Sequence, residues 1–397
     1  MSPSFPPMQP TPIYLDHAAT TPVRPEVVEA MLPFLGGTFG NPSSAHAFGR
    51  AAREGLERAR AQVAEGLGVA AREVYFTSGG TEGDNLAVLG AAWAAREAGH
   101  AMLAAVAATE HKAVLAAAHA VAHQGGHEVL LPVTPDGLLD LAALDAALAR
   151  RPAVVSVMWV NNETGVIQPL GAIAERCRTA GILFHSDLVA GFGKLPLSLA
   201  EVPLSAATIT GHKLGAPKGI GALVVRDGVI LSPQVHGGSQ QRGIRPGTEN
   251  IAGAVALGCA VRLAREEQAR EATRLTELRD LLAALLAAAI PDLRVSGGAA
   301  PRAPHVLNLQ VPGCDAQALL MHLDLAGIAA SAGSACQSGA AEPSHVLTAM
   351  GIAPELALSA IRLSLGHETT ADEVRRVAEV FPRAVAKVRA LGLALSR

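Results

Sequence analysis

From Glu73 to about Val225 the chain alternates short β-prone runs with alanine-rich helical segments, the pattern of a parallel sheet covered by helices. The runs that read as strands are Glu73–Thr77, Met102–Ala107, Glu128–Leu131, Ala153–Val160, Ile182–Ser186, Ala206–Thr210 and Ala222–Val225. Helices are expected between them at Thr81–Arg96, Lys112–His123, Leu141–Ala149 and Leu170–Ala180. A sheet wound in this way binds its ligand at the carboxyl ends of its strands, so chemistry is expected in the loops that follow these runs.

Beyond Thr248 the pattern changes to one long helical stretch, Asn250–Ala289, with acidic and basic residues alternating on its exposed side. It reads as a connector between domains. After it, Arg294–Ser296, His305–Gln310, Ile328–Ala330 and Ser359–Ser364 read as strands of a smaller α+β unit closed by the helix Thr370–Ala390. The expected architecture is therefore α/β. A large domain (26–261) holds a mostly parallel seven-stranded sheet covered by helices, and a small α+β domain (262–397) carries the loop around Cys336. An N-terminal segment (1–25) is expected to pack with the small domain, and no internal repeat is present.

Composition narrows the class. The 397 residues are 50% hydrophobic and 17% charged with a formal net charge of -3, which suits a soluble globular protein and gives no electrostatic case for nucleic acid. Apolar stretches such as Leu281–Ile290 fall short of the roughly 20 residues that span a bilayer. Met1–Pro12 is proline-rich without the basic and apolar regions of a secretion signal, so a cytoplasmic location is the expectation. Cys177, Cys259, Cys314 and Cys336 are widely spaced with no C-x-x-C pair, which disfavours a disulfide framework or a zinc site. Cys177 and Cys259 sit in helical patterns that suit packing. Cys336 instead lies in Ser331-Ala332-Gly333-Ser334-Ala335-Cys336-Gln337-Ser338-Gly339, a polar, glycine-containing loop where a thiol is better suited to reaction than to burial.

Several strand ends carry candidate chemistry. Phe76-Thr77-Ser78-Gly79-Gly80-Thr81-Glu82-Gly83 joins a strand to a helix and offers backbone N–H groups and hydroxyls to a phosphate, or else is simply a helix cap. It lacks the P-loop lysine and the Rossmann glycine spacing. Thr210-Gly211-His212-Lys213 puts a lysine at a strand end in a glycine-rich loop, where it could form a Schiff base or remain a surface lysine. Asp187, ending Phe184-His185-Ser186-Asp187, could pair with a pyridine nitrogen or be a loop aspartate. His111 offers an imidazole for stacking and proton transfer, and Asn161-Asn162 offers amide donors. Arg362, inside a β-prone run, needs an anionic partner, either a substrate carboxylate or a structural ion pair. Together these groups describe a pyridoxal phosphate site.

With Tyr14-Leu15-Asp16-His17-Ala18-Ala19-Thr20-Thr21, Gly40-Asn41-Pro42-Ser43-Ser44, Arg245-Pro246-Gly247-Thr248-Glu249-Asn250 and Glu342-Pro343-Ser344-His345-Val346-Leu347 added, the chain resembles, nearly end to end, the cysteine desulfurases of the NifS/IscS type in the class V aminotransferase group. The resemblance implies pyridoxal 5'-phosphate carried on Lys213, with Asp187 at the ring nitrogen and His111 on the ring face. It implies Gly80, Thr81, Thr210 and His212 at the phosphate, joined by Thr248 from the other subunit of a homodimer. Asn162, also counted among the cofactor-binding residues, and Arg362 would orient the substrate carboxylate. Cys336 would take sulfur from L-cysteine as a persulfide, leaving L-alanine, and pass it to an acceptor or cluster-scaffold protein. No resident metal is implied, with Cys336 open as a transient iron–sulfur ligand. The family's Asp-Ala-(Val/Thr)-Gln-Ala reads Asp187-Leu188-Val189-Ala190-Gly191 here, so Ala190 replaces a glutamine that hydrogen-bonds the cofactor's phenolic oxygen. A second departure is Ala216, at a position that is usually glycine. A selenocysteine lyase or related class V lyase is the alternative enzyme reading, and a non-catalytic scaffold for cluster assembly the alternative outside enzymes.

Overall fold

The computed structural model describes residues 12–332 and 342–395. In chain order its elements are β1 (Ile13–Tyr14), α1 (Pro25–Met31), α2 (Ala47–Leu67), β2 (Val74–Thr77), α3 (Gly80–Glu97), β3 (Leu103–Ala107), α4 (Lys112–His123), β4 (His127–Leu131), α5 (Leu141–Ala149), β5 (Val154–Ser156), α6 (Leu170–Ala180), β6 (Leu183–Asp187), β7 (Ala206–Thr210) and β8 (Gly221–Val225). They continue as α7 (Ile251–Ala289), β9 (Arg294–Val295), β10 (Val306–Gln310), α8 (Ala316–Leu325), β11 (Ile328–Ala329), α9 (His345–Ala349), α10 (Pro354–Ala357), β12 (Ala360–Ser364) and α11 (Ala371–Leu395).

Seven strands form one sheet in the order β2-β8-β7-β6-β5-β3-β4. β8 runs antiparallel to both β2 and β7, and the other pairs are parallel. Since β2 and β7 each oppose β8, they run the same way, and their carboxyl ends share a rim with those of β3, β5 and β6. The inner strands β3, β5 and β7 are wholly buried, as a parallel sheet between helix layers requires, while the edge strand β4 is partly exposed.

The expected strand Ala153–Val160 is shorter, with ladder pairing confined to Val154–Ser156. The cause is a side chain: the Met158 N–H is taken by the buried Glu110 carboxylate and not by a carbonyl of β3. The sheet therefore opens between β3 and β5 at the rim where the ligand is expected.

Helix α2, absent from the alternating pattern, buries Ala52, Leu56, Ala59, Val63 and Leu67 against the large core, a 3.6-residue stripe that ends at Gly68 with φ 72°. Helix α7 runs unbroken for 39 residues. Its first half, through Leu263, packs in the large core, while Leu275, Leu278, Leu282 and Leu286 pack in a second core with β10, β12 and α11. In the C-terminal part β12, β10 and β9 form an antiparallel sheet, and β11 pairs instead with β1. Leu15 joins the second core, which ties the N-terminal segment to it.

Candidate active site

A cavity of about 470 Å³ lies at the rim of the large sheet. Gly80, Thr81, His111, Asn162, Asp187, Thr210, His212, Lys213 and Arg362 all line it, so residues far apart in sequence are brought together by the strand ends. Thr248 does not line it and is exposed. Cys336 lies outside the described residues.

At the β2–α3 turn, Gly79 is the N-cap and supplies no capping side chain. Glu82 reaches back to the Ser78 N–H at 2.5 Å and is itself held by Arg245 at 2.8 Å. Gly80 and Thr81 open α3 and line the cavity, and the first N–H groups of a helix are the ones an anion satisfies and the helix dipole favours. Gly80 is closely packed: a Cβ there would lie 3.1 Å from Val189 Cγ2. His212 completes this side, its ring at 3.2 Å from the Thr20 hydroxyl and its pKa lowered to about 4 by burial, with Lys213 and Lys218 adding to the effect.

Lys213 sits in the turn after β7. Burial pushes its amine below the ordinary lysine range, Asp187 opposes the shift and Arg362 adds to it. Asp187 ends β6; the Val189 N–H donates to its Oδ1 at 2.7 Å, and burial raises its pKa against the pull of His111, that N–H and Lys213. His111 is the N-cap of α4. Its Nδ1 accepts the Ala113 N–H at 3.2 Å, so the neutral ring carries its proton on Nε2. Burial lowers its pKa, which keeps the ring neutral near pH 7.

Arg362 on β12 is 3% exposed and already partnered. Its Nη2 donates to Asp16 Oδ1 at 2.6 Å and its Nη1 to the Asn162 carbonyl at 3.0 Å, while Nε has no partner among the described residues. Of the two readings of this arginine, the ion pair is the one its partners display, and the residue also lines the cavity. Asn161 is structural, its Oδ1 accepting from the Glu163 and Thr164 N–H groups, and the neighbouring Asn162 is the one that lines the cavity.

The flanks of the Cys336 segment reach the same place. Ser331 exchanges backbone hydrogen bonds with Arg362, and His345 lines the cavity with its Nε2 on the Glu110 carbonyl at 2.9 Å. Ser344 donates to Glu163 at 2.5 Å. The other cysteines are buried away from it: Cys314 lies in the second core with its thiol pKa raised, and burial takes Cys177 to about 12. Asp16, Asp84, Glu110 and His345 also belong to the cavity wall or its support and were not singled out by pattern. Their only signal is position, each lying within or beside a motif that holds a cavity residue. Among the described residues no cluster of three or more His, Cys, Asp or Glu could hold a metal, and no helix is long and apolar enough to cross a membrane.

The class-V aminotransferase family model matches residues 13–377. A cysteine desulfurase IscS of Dictyoglomus turgidum is 40% identical over 96% of each chain. The cysteine desulfurase 1 of Trichormus variabilis is 45% identical over 96% of this chain and 94% of its own. The chain belongs to the cysteine desulfurases of the class-V aminotransferase family. A solved NifS-like protein superposes with a TM-score of 0.87 at 32% identity, covering 95% of this chain and all of the other. Lys213, Asp187 and His111 stand at one rim of this chain, and Ala190, 7% exposed, lies on the same cavity wall.

Proposed function

We propose that the protein is a pyridoxal-phosphate-dependent cysteine desulfurase that converts L-cysteine to L-alanine and receives the sulfur on Cys336 as a persulfide. The observation that carries this reading is the convergence of a desolvated Lys213, Asp187 and His111 on one cavity beside an uncapped helix N-terminus.

The donor set fits pyridoxal phosphate. Gly80 and Thr81, with Thr210 and His212, would hold the phosphate; Asp187 would hold the ring nitrogen, His111 the ring face, and Lys213 the aldehyde carbon. When bound, the cofactor supplies an electron-withdrawing ring conjugated to the substrate nitrogen, which makes the substrate Cα–H acidic.

The protein's own groups do the rest. Arg362, which lines the cavity, orients the substrate carboxylate with Asn162 beside it. Lys213, its amine favoured in the neutral form, takes the Cα proton. The Cys336 thiolate attacks the substrate sulfur: the Cβ–S bond breaks, an S–S bond forms, and the bonding pair stays with carbon. That carbon is protonated, with the His111 Nε2–H a proton donor within the cavity, and Lys213 returns the proton to Cα, so the product leaves as L-alanine. Thr248, exposed and away from this cavity, is assigned to the phosphate of a second copy in a homodimer. The persulfide then passes to an acceptor for iron–sulfur cluster assembly or other sulfur delivery. A cytoplasmic setting, where thiols stay reduced, suits that chemistry.

The test is direct. Protein incubated with pyridoxal phosphate should gain visible absorbance that Lys213→Ala lacks, and should release L-alanine and sulfide from L-cysteine in the presence of a thiol. Colourless protein that refuses the cofactor would contradict the proposal.

A further inference from the structure

Beneath Asp187 the sheet carries a row of polar side chains where a core of alanine and valine would be expected. Asp187 and His185 lie two apart on β6 and so share a face; Thr208 is the register partner of Asp187, and Ser156 that of His185. Ser156, His185 and Thr208 are 0% exposed. They are linked: His185 Nδ1 meets Ser156 Oγ at 2.8 Å, and its Nε2 meets Thr208 Oγ1 at 2.9 Å.

The row ends on Asp84, which α3 lays over this face. Thr208 also acts on the Asp84 carboxyl, whose Oδ1 has no hydrogen-bond partner among the described residues and lies 3.7 Å from His185 Nε2. Asp84 is 1% exposed. Gly83 makes this approach available, since a Cβ there would lie 2.7 Å from Thr208 Cγ2 and 3.0 Å from its hydroxyl. The desulfurase chemistry above uses neither Asp84 nor His185.

The chain of bonds is consistent in only a few ways. His185, held neutral by burial with its pKa lowered to about 3, offers one donor and one acceptor. If Asp84 is protonated, it can donate toward Thr208, Thr208 to His185 Nε2, and His185 Nδ1 to Ser156, so every link carries one proton. An ionised Asp84 would reverse each link and leave a bare carboxylate oxygen in the core beside a second carboxylate. Burial, Asp187 and Glu110 disfavour that ion, while Thr208 and Lys213 favour it. The groups facing the pair are Asp187 and His185 from β6, Thr208 from β7, Ser156 from β5, Glu110 and His111 from the β3–α4 loop, and Lys213 from the turn after β7.

We propose that Asp84 and Asp187 hold one proton between them, Asp84 keeping it through Thr208 and His185, so that Asp84 is a positioning residue that leaves Asp187 as the single negative charge beneath the cofactor ring. This rests on the cofactor assignment above only for the last clause; the shared proton is a property of the polypeptide alone.

The experiment counts that proton. Calorimetric unfolding of the cofactor-free protein near pH 7, in buffers of different ionisation enthalpy, should release one more proton from wild type than from Asp84→Asn, because the unfolded chain ionises both aspartates. In pyridoxal-phosphate-loaded protein, Asp84→Asn should hold the cofactor within about threefold of wild type. Asp84→Ala and Thr208→Val should loosen it about tenfold, the scale seen when an outer layer that orients a ligand is removed. Equal proton release from wild type and Asp84→Asn would overturn the proposal, as would Asp84→Asn loosening the cofactor as much as Asp84→Ala. A one-proton difference in protein that takes up no pyridoxal phosphate would support the shared proton and overturn the cofactor assignment instead.

Discussion

Arg362 donates to Asp16 at 2.6 Å, joining the last strand of the chain to its N-terminal segment at the edge of the cavity. The arginine expected to hold a substrate carboxylate is thus oriented by a protein carboxylate first. Arg362→Ala should lower kcat/KM for L-cysteine by about 100-fold, which corresponds to one charge-assisted hydrogen bond of about 2–3 kcal/mol. It should also lower the melting temperature, because Asp16 loses its partner. A loss confined to KM, with stability intact, would mean the ion pair is without structural weight.

Lys213 gives a stability prediction with a definite sign. Its folded pKa lies below the unfolded value, so between the two the unfolded chain binds more protons and wild-type stability rises with pH. Cofactor-free Lys213→Met, which cannot charge, should melt higher than wild type near pH 7. The gap should close as pH approaches the ordinary lysine value of about 10.4. Thermal melts across that range check it, and a gap independent of pH would contradict it.

His111 has two roles that substitutions separate. His111→Ala removes the acceptor that caps α4 and should cost about 1 kcal/mol of stability, while His111→Asn keeps an acceptor and should recover most of it. Both should reduce turnover about 100-fold, the usual scale when a proton donor is removed. Since burial lowers the imidazole pKa, wild-type turnover should hold as pH falls through about 6.5.

Ala190 lines the cavity wall, so a longer side chain there would point its end at the cavity's contents. Ala190→Gln should tighten cofactor retention about fivefold, the value of one added hydrogen bond of about 1 kcal/mol. Equilibrium dialysis against pyridoxal phosphate measures it. Unchanged retention would show that position 190 does not face the ring oxygen.

Much of the site was legible because strand-end loops have short-range signatures. Thr81, His111, Asp187 and Lys213 each follow a β-prone run, and a parallel sheet must bring such ends to one rim. The supporting polar groups were not legible. Glu110 stands between Thr109 and His111 with nothing local to say that its carboxylate would replace a sheet carbonyl at Met158. His185 and Thr208 read as ordinary positions in apolar runs, and their pairing depends on strand order. Asp16 meets Arg362 only because β1 and β12 converge, bringing the two ends of the chain together. Helix α2 has a readable 3–4 spacing, yet it precedes the alternating region on which the sheet reading rests.

The most direct measurement is a mass spectrum of the Cys336 peptide after loaded protein meets L-cysteine without an added thiol. One extra sulfur atom on Cys336, together with L-alanine, is the expected result, absent in Lys213→Ala. Full L-alanine production with Cys336 unmodified, or undiminished turnover in Cys336→Ala, would contradict the account.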